Sequence, residues 1–263
     1  MRKYVALNFA ALFCFLSISV IPGAVFAATW FSCTGDTFCN SSVSNYWGTV
    51  TIGNQSDSPT GNHGVWMWTY KSGMPGGEGV GNVWPAYSMP SDAQEMWVQW
   101  YWKYSPGFTY HPVVNKQFYF YPSNTMGMGV IPDTGVNMQP QGPNQANQFP
   151  NVNKSLWYVQ PTGTWHKYKA RYVMNANGVF NGIYQAWVDD VKVADYSSVY
   201  YGNGEAISSP AFVVIYGGMG GSVPQDQYFY MAGLYIGSTD PGGSSTAPPP
   251  SKIPLSPGKL TIQ

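Results

Sequence analysis

The chain has 263 residues, room for one sizeable all-β domain with processing segments at its ends. Only 9% of the residues are charged, against a usual share of about 25%, and the formal net charge is zero, which excludes long-range steering toward nucleic acid or an acidic membrane surface. The weight falls instead on 20 Tyr and 11 Trp, side chains with a large apolar face and a polar handle, set among 30 Gly and 21 Pro that punctuate short strands.

In chain order, Arg2 and Lys3 precede an apolar run from about Val5 to Ile21. Pro22-Gly23 break it, and Val25-Phe26-Ala27 follow. This anatomy predicts a signal peptide over residues 1–27, cleaved after Ala27. The mature chain is expected to be secreted or periplasmic, with no membrane association once the signal is removed. Cleavage removes Cys14 and leaves Cys33 and Cys39. In an oxidising compartment these are expected to form a disulfide closing a small loop, since two thiols without a nearby His make a poor zinc site.

Residues 28–238 read as one all-β domain and residues 239–263 as a Pro/Ser/Gly-rich tail. Strands are predicted at Val65–Tyr70, Glu95–Tyr104, Lys116–Tyr121, Trp165–Met174, Ile183–Val188, Ala211–Tyr216 and Tyr228–Ile236. Turn signals at Gly73 to Gly81, Pro106-Gly107, Asn175 to Gly182 and Gly217 to Gly221 separate them, and residues 132–153 read as a long loop. The richest stretch is Trp97-Val-Gln-Trp-Tyr-Trp-Lys-Tyr104. Alternation puts Val98, Trp100, Trp102 and Tyr104 on one face, a candidate core. Trp97, Gln99, Tyr101 and Lys103 share the other, an aromatic surface with an amide and an ammonium that suits stacking on a sugar ring. A strand buried on both faces also reads as aromatic and apolar, and alternation alone does not separate the two.

Several segments together resemble a family. They are Lys71-Ser-Gly-Met-Pro-Gly-Gly-Glu-Gly79, Trp97–Gly107, Asn115-Lys116-Gln117-Phe118, Gly163-Thr-Trp-His-Lys167, Asn175 to Gly182, Trp187-Val-Asp-Asp190, Ile215 to Gly221, and a closing strand ending Ile236-Gly237. Over roughly residues 60–238 this order resembles the concanavalin A-like jelly-roll domains related to polysaccharide lyases. The resemblance implies a two-sheet antiparallel β-sandwich with one concave, ligand-bearing sheet.

A uronate lyase needs a cation or amide to neutralise the sugar carboxylate, a base for the proton beside it and an acid for the leaving oxygen. Lys116 stands where the family often places a lysine at the start of an inner strand. His111 or His166 can serve as base and Tyr119 as acid. Lys167, Lys169 and Arg171 share one strand face, which is either an anionic groove or a solvent face. The segments Gly127–Val130 and Val136–Gln139 carry no Arg or Tyr, where alginate-cleaving members tend to have them. A glycoside hydrolase needs paired carboxyls, and Glu78, Glu95 and Glu205 each stand alone, while Asp189-Asp190 suit a hairpin turn. No metal or phosphate-binding spacing and no cofactor motif is visible.

The sequence therefore points to an exported jelly roll that binds polysaccharide or oligosaccharide through Trp97, Gln99, Tyr101, Lys103, Tyr119, Tyr121 and Arg171. The alternatives are lyase chemistry with Lys116, His111, His166 and Tyr119, and a non-catalytic adhesion or surface-display module. Nucleic acid is not an expected partner.

Overall fold

Alternation of period two builds the long strands of this domain. The computed structural model describes residues 28–33, 41–61, 64–112, 115–122, 131–132, 136–137 and 162–242. In chain order the strands are Thr29–Ser32 (β1), Ser41–Asn45 (β2), Thr49–Gly53 (β3), Val65–Tyr70 (β4), Gly79–Pro85 (β5), Glu95–Tyr104 (β6) and Asn115–Pro122 (β7). They continue with Ile131–Pro132 (β8), Val136–Asn137 (β9), His166–Val173 (β10), Gly182–Val188 (β11), Val191–Val199 (β12), Ile207–Tyr216 (β13) and Gln227–Gly237 (β14). The expected signal peptide, Cys39 and most of the 132–153 loop and of the tail lie outside the described residues.

Two antiparallel sheets face each other. The large one runs β12-β11-β10-β6-β14-β4-β3, with β1 also pairing β14; the small one runs β2-β5-β13-β7. The fold is a jelly-roll β-sandwich. Its core lies between the sheets. Val98, Trp100, Trp102 and Tyr104 of β6 are all buried in it, as alternation predicts, and Trp100 meets Phe118 of β7 and Phe212 of β13 from the small sheet. Trp66, Trp68, Trp100 and Trp102 are among the largest fully buried side chains. Burial pushes the hydroxyls of Tyr70, Tyr104, Tyr168, Tyr184 and Tyr201 well above the ordinary phenol range. They stay protonated and serve as links in the packing; Tyr168 and Tyr184, for instance, bring their hydroxyls to 3.2 Å.

The sequence reading assigned residues 73–81 wholly to a turn, but a strand begins at Gly79. Glycine is what lets it lie there: a Cβ on Gly81 would meet the Ser44 carbonyl at 2.7 Å and collide with Val50. Strands β1, β2, β3 and β12 were also missed. They are short or carry mostly polar exposed residues, so period two has little contrast in them. Asp189 and Asp190, with φ of 49° and 65°, form the tight turn between β11 and β12.

Candidate functional site

The expected binding residues divide between the two sheets. Trp97, Gln99, Tyr101 and Lys103 lie on the outer face of the large sheet, and Arg171 stands across from Trp97 on β10. Lys116 and Tyr119 lie on β7, in the small sheet on the far side of the core, and so does the backbone of Tyr121. The single face expected from the sequence is therefore not assembled. The alternation was read correctly on β6, but no sequence signal said that β6 and β7 belong to different sheets.

On the large sheet the polar groups satisfy one another. Lys103 is only 7% exposed and gives its ammonium to Asp57 at 2.6 Å, between the rings of Trp165 and Tyr230. Lys169 binds both carboxylate oxygens of Asp240. The Arg171 guanidinium and the Trp97 indole both donate to Glu95 Oε1, at 2.8 and 2.9 Å. Trp97 stacks on Trp187 with centroids 5.7 Å apart, and Lys169 and Lys192 reach over the Trp187 ring. Lys167 pairs with Asp190. The cations that a sugar acid would use, and the Trp97 ring, are already engaged by protein.

These pairs set the acid limb of stability. The hydrogen bond from Lys103 holds the Asp57 carboxyl below its ordinary value of 3.8, and hydrogen bonds from Gln185 and Lys192 do the same for Asp195. A lowered carboxylate pKa contributes stability that is present above the unfolded value and lost as the pH falls through the folded one. Melting temperature should thus hold from roughly pH 5 upward and drop as the pH passes below 3.8. Asp57→Asn should flatten part of that drop in a melting series against pH; an unchanged acid limb would show that the pair carries none of it.

The outer face of the small sheet is different. Tyr46, Trp47, Glu78, Gly79, Asn82, Val213 and Ile215 line an open groove of about 600 Å³. Tyr46 and Trp47 are 59% and 55% exposed, and the Tyr46 ring covers Gly79, where a Cβ would meet it at 3.4 Å. The Asn82 amide donates to the Tyr46 hydroxyl at 3.3 Å, and its own carbonyl oxygen, though buried, accepts no hydrogen bond. Sequence reasoning missed these residues. The one signal was an adjacent aromatic pair, Tyr46-Trp47, directly after the Ser/Asn-rich run Ser41–Asn45.

Lys116 stands at the edge of this groove, directly opposite Ile215 in the ladder, so the two side chains share a face. A local irregularity puts it there. Gln117 reaches inward to the Tyr104 hydroxyl and Phe118 also packs inward, against Trp100, while the ladder with β13 slips between Phe212 and Ile215. Two consecutive inward residues reset the alternation and turn Lys116 outward. Lys71, Lys103, Lys167, Lys169, Arg171 and Lys192 each hold a carboxylate. Among the described residues, Lys116 is the one lysine or arginine that does not. Tyr119, three residues on, is buried at 4% exposure and stands opposite Ala211.

Both expected bases are held by protein. His111 lies before β7, 2% exposed, with Nε2 donating to the Gly220 carbonyl at 2.8 Å and Nδ1 accepting from the Gly218 amide at 3.4 Å. These partners assign the neutral Nε2–H tautomer. His166 is on β10 in the large sheet, with Nδ1 on Asp189 Oδ2 at 2.7 Å. Among the described residues no cluster of three or more His, Cys, Asp or Glu could hold a metal ion.

No protein-family model matches the sequence, and no curated protein is similar to it in sequence. Solved structures are similar in fold. Alginate lyase vAL-1 from Chlorella virus superposes with a TM-score of 0.59 at 12% identity, covering 76% of this chain and 93% of that one. The fold is that of the jelly-roll polysaccharide lyases. The PL-14 alginate lyase from Aplysia kurodai gives a TM-score of 0.56 at 13% identity, covering 80% of this chain and 99% of that one. The endo-beta-1,4-glucuronan lyase from the fungus Trichoderma reesei gives 0.55 at 14%, covering 81% and 96%. At these identities the lyase-like jelly roll carries over as architecture, and the chemistry has to be argued from this chain's own residues.

Proposed function

We propose that this jelly roll is a polysaccharide lyase that binds a uronate-containing polymer in the small-sheet groove. The observation that carries the reading is Lys116, a cation without a carboxylate partner among the described residues, paired across the ladder with Ile215, which lines a groove that exposed aromatic rings flank. The alginate and glucuronan lyases of the same fold favour cleavage over binding alone.

In this reading the Lys116 ammonium neutralises the sugar carboxylate and makes the adjacent C5 proton acidic. Water in the open groove takes that proton, the electron pair of the broken C5–H bond forms the C4=C5 double bond as the C4–O bond breaks, and an acid protonates the departing oxygen. Tyr119 is the acid candidate, since it lies on the same strand. His111 is given no step because both its ring nitrogens are bound to the Gly218–Gly220 turn, and His166 is given none because it stands in the large sheet, on the far side of the core from the groove. Export through residues 1–27 and a Cys33–Cys39 disulfide belong to the same reading; Cys33 is buried at 3% exposure beside β1.

The second reading is binding without cleavage, and the exposed Tyr46 and Trp47 favour it. One experiment separates the two. A panel of polyuronates is scored for the ultraviolet absorbance of the unsaturated product and, in parallel, for retardation in polysaccharide affinity gels. Product supports the lyase; retardation without product supports the binding module; neither outcome overturns both. The face is tested in the same gels. Trp47→Ala should weaken retardation about tenfold with little change in melting temperature. Trp97→Ala, which breaks the Trp97–Trp187 stack, should do the reverse.

A further inference from the structure

The groove presents different chemistry at its two ends. At the β7 end stands a cation, Lys116. At the β5 end there is no cation among the described residues; the Glu78 carboxylate, the unpartnered Asn82 carbonyl oxygen, and the exposed Tyr46 and Trp47 stand there. The two ends are linked by one residue of β13, since Ile215 pairs with Gly79 on one side and with Lys116 on the other. Two strand spacings, about 10 Å, separate them. A single oligosaccharide is long enough to bridge that distance.

A homopolymer of uronates would bring a carboxylate to each end. At the β5 end it would meet Glu78 with no cation among the described residues to compensate, and like charges brought together disfavour the complex. A buried acceptor such as Asn82 Oδ1, by contrast, gains from a donor. We infer that the groove takes a heteropolysaccharide in which a uronate, held at Lys116, is followed by a sugar without a carboxylate that gives hydroxyl or amide donors to Glu78 and Asn82 and stacks on Tyr46 or Trp47. This deepens the proposed function and rests on the groove being the polysaccharide site.

The test compares two probes on the whole protein, alginate as a homopolyuronate and hyaluronan as a uronate alternating with an N-acetylated sugar. Affinity and product formation are measured for wild type, Glu78→Gln, Glu78→Lys and Lys116→Ala. The Glu78 side chain is exposed and makes no hydrogen bond among the described residues, so these variants keep the fold, which a melting curve checks. Wild type should prefer hyaluronan at least about tenfold, and Glu78→Gln and Glu78→Lys should narrow that preference progressively by improving alginate. A wild-type preference for alginate, or a ratio unmoved by both Glu78 variants, overturns the inference while leaving the groove reading intact. Binding of neither probe, or binding indifferent to Lys116→Ala, overturns the groove reading itself and the inference with it.

Discussion

Lys116→Ala is expected to lower cleavage of a uronate polymer by about a thousandfold, the scale of removing one charge that acts on the reacting carboxylate. Melting temperature should stay where it is. Lys116 is half-buried and holds no carboxylate among the described residues, so its removal strands no opposite charge. The cations of the large sheet behave oppositely. Arg171→Ala leaves Glu95 without its guanidinium and should cost stability, yet leave the cleavage rate intact. Lys116→Arg keeps the charge but replaces a compact ammonium by a planar fork, so binding should survive better than turnover. The rate of ultraviolet absorbance increase, read beside a melting curve for each variant, decides the matter. An unchanged rate in Lys116→Ala would remove this residue from the chemistry.

Gly217→Ala should destabilise the domain by about 2–5 kcal/mol, adding a strained backbone to an overpacked site. Gly217 has φ of 73°, a region that disfavours a side chain, and a Cβ there would fall within the His111 ring. The ring is boxed in from the other side too, where a Cβ on Gly76 would lie 2.8 Å from His111 Nε2 and 2.7 Å from the Gly218 carbonyl. Two glycine-rich turns thus close on one buried imidazole. His111→Ala alone costs its two hydrogen bonds and its edge-on contact with Tyr216. In the double variant, however, the alanine at 217 no longer meets a ring, so the two effects should sum to more than the measured loss. Denaturant unfolding of the cycle gives the coupling directly, and strict additivity would show that the glycines are not there for the histidine.

The sequence carries much of this fold because alternation is a local property. Spacing put Val98, Trp100, Trp102 and Tyr104 on one face as a candidate core, and residue types gave the Asp189-Asp190 and Gly217–Gly221 turns. The site was less legible. Assigning Tyr119 and Trp97 to one surface required knowing which strands become neighbours, and sheet order is set by long-range pairing that period-two patterns do not encode. Lys116 was singled out by family resemblance, but its outward orientation depends on Gln117 and Phe118 both facing inward, which strict alternation forbids. The large-sheet cations misled for a related reason. A row of Lys and Arg reads as an anion site until the acids that meet it, Asp57, Asp240 and Glu95, are seen to arrive from distant parts of the chain.

The distribution of indoles has an optical consequence. Trp66, Trp68, Trp100 and Trp102 sit in the core, and Trp97 and Trp187 are stacked on each other, whereas Trp47 stands at the mouth of the groove, the one tryptophan among the described residues counted as exposed. Intrinsic fluorescence thereby combines a deep, quencher-resistant population, the half-buried Trp84, Trp97, Trp165 and Trp187, and an exposed emitter at the proposed sugar site. Acrylamide reaches the exposed emitter first. Occupancy of the groove is thus readable as added protection of Trp47, measured against Trp47→Phe, in the unlabelled protein and without turnover.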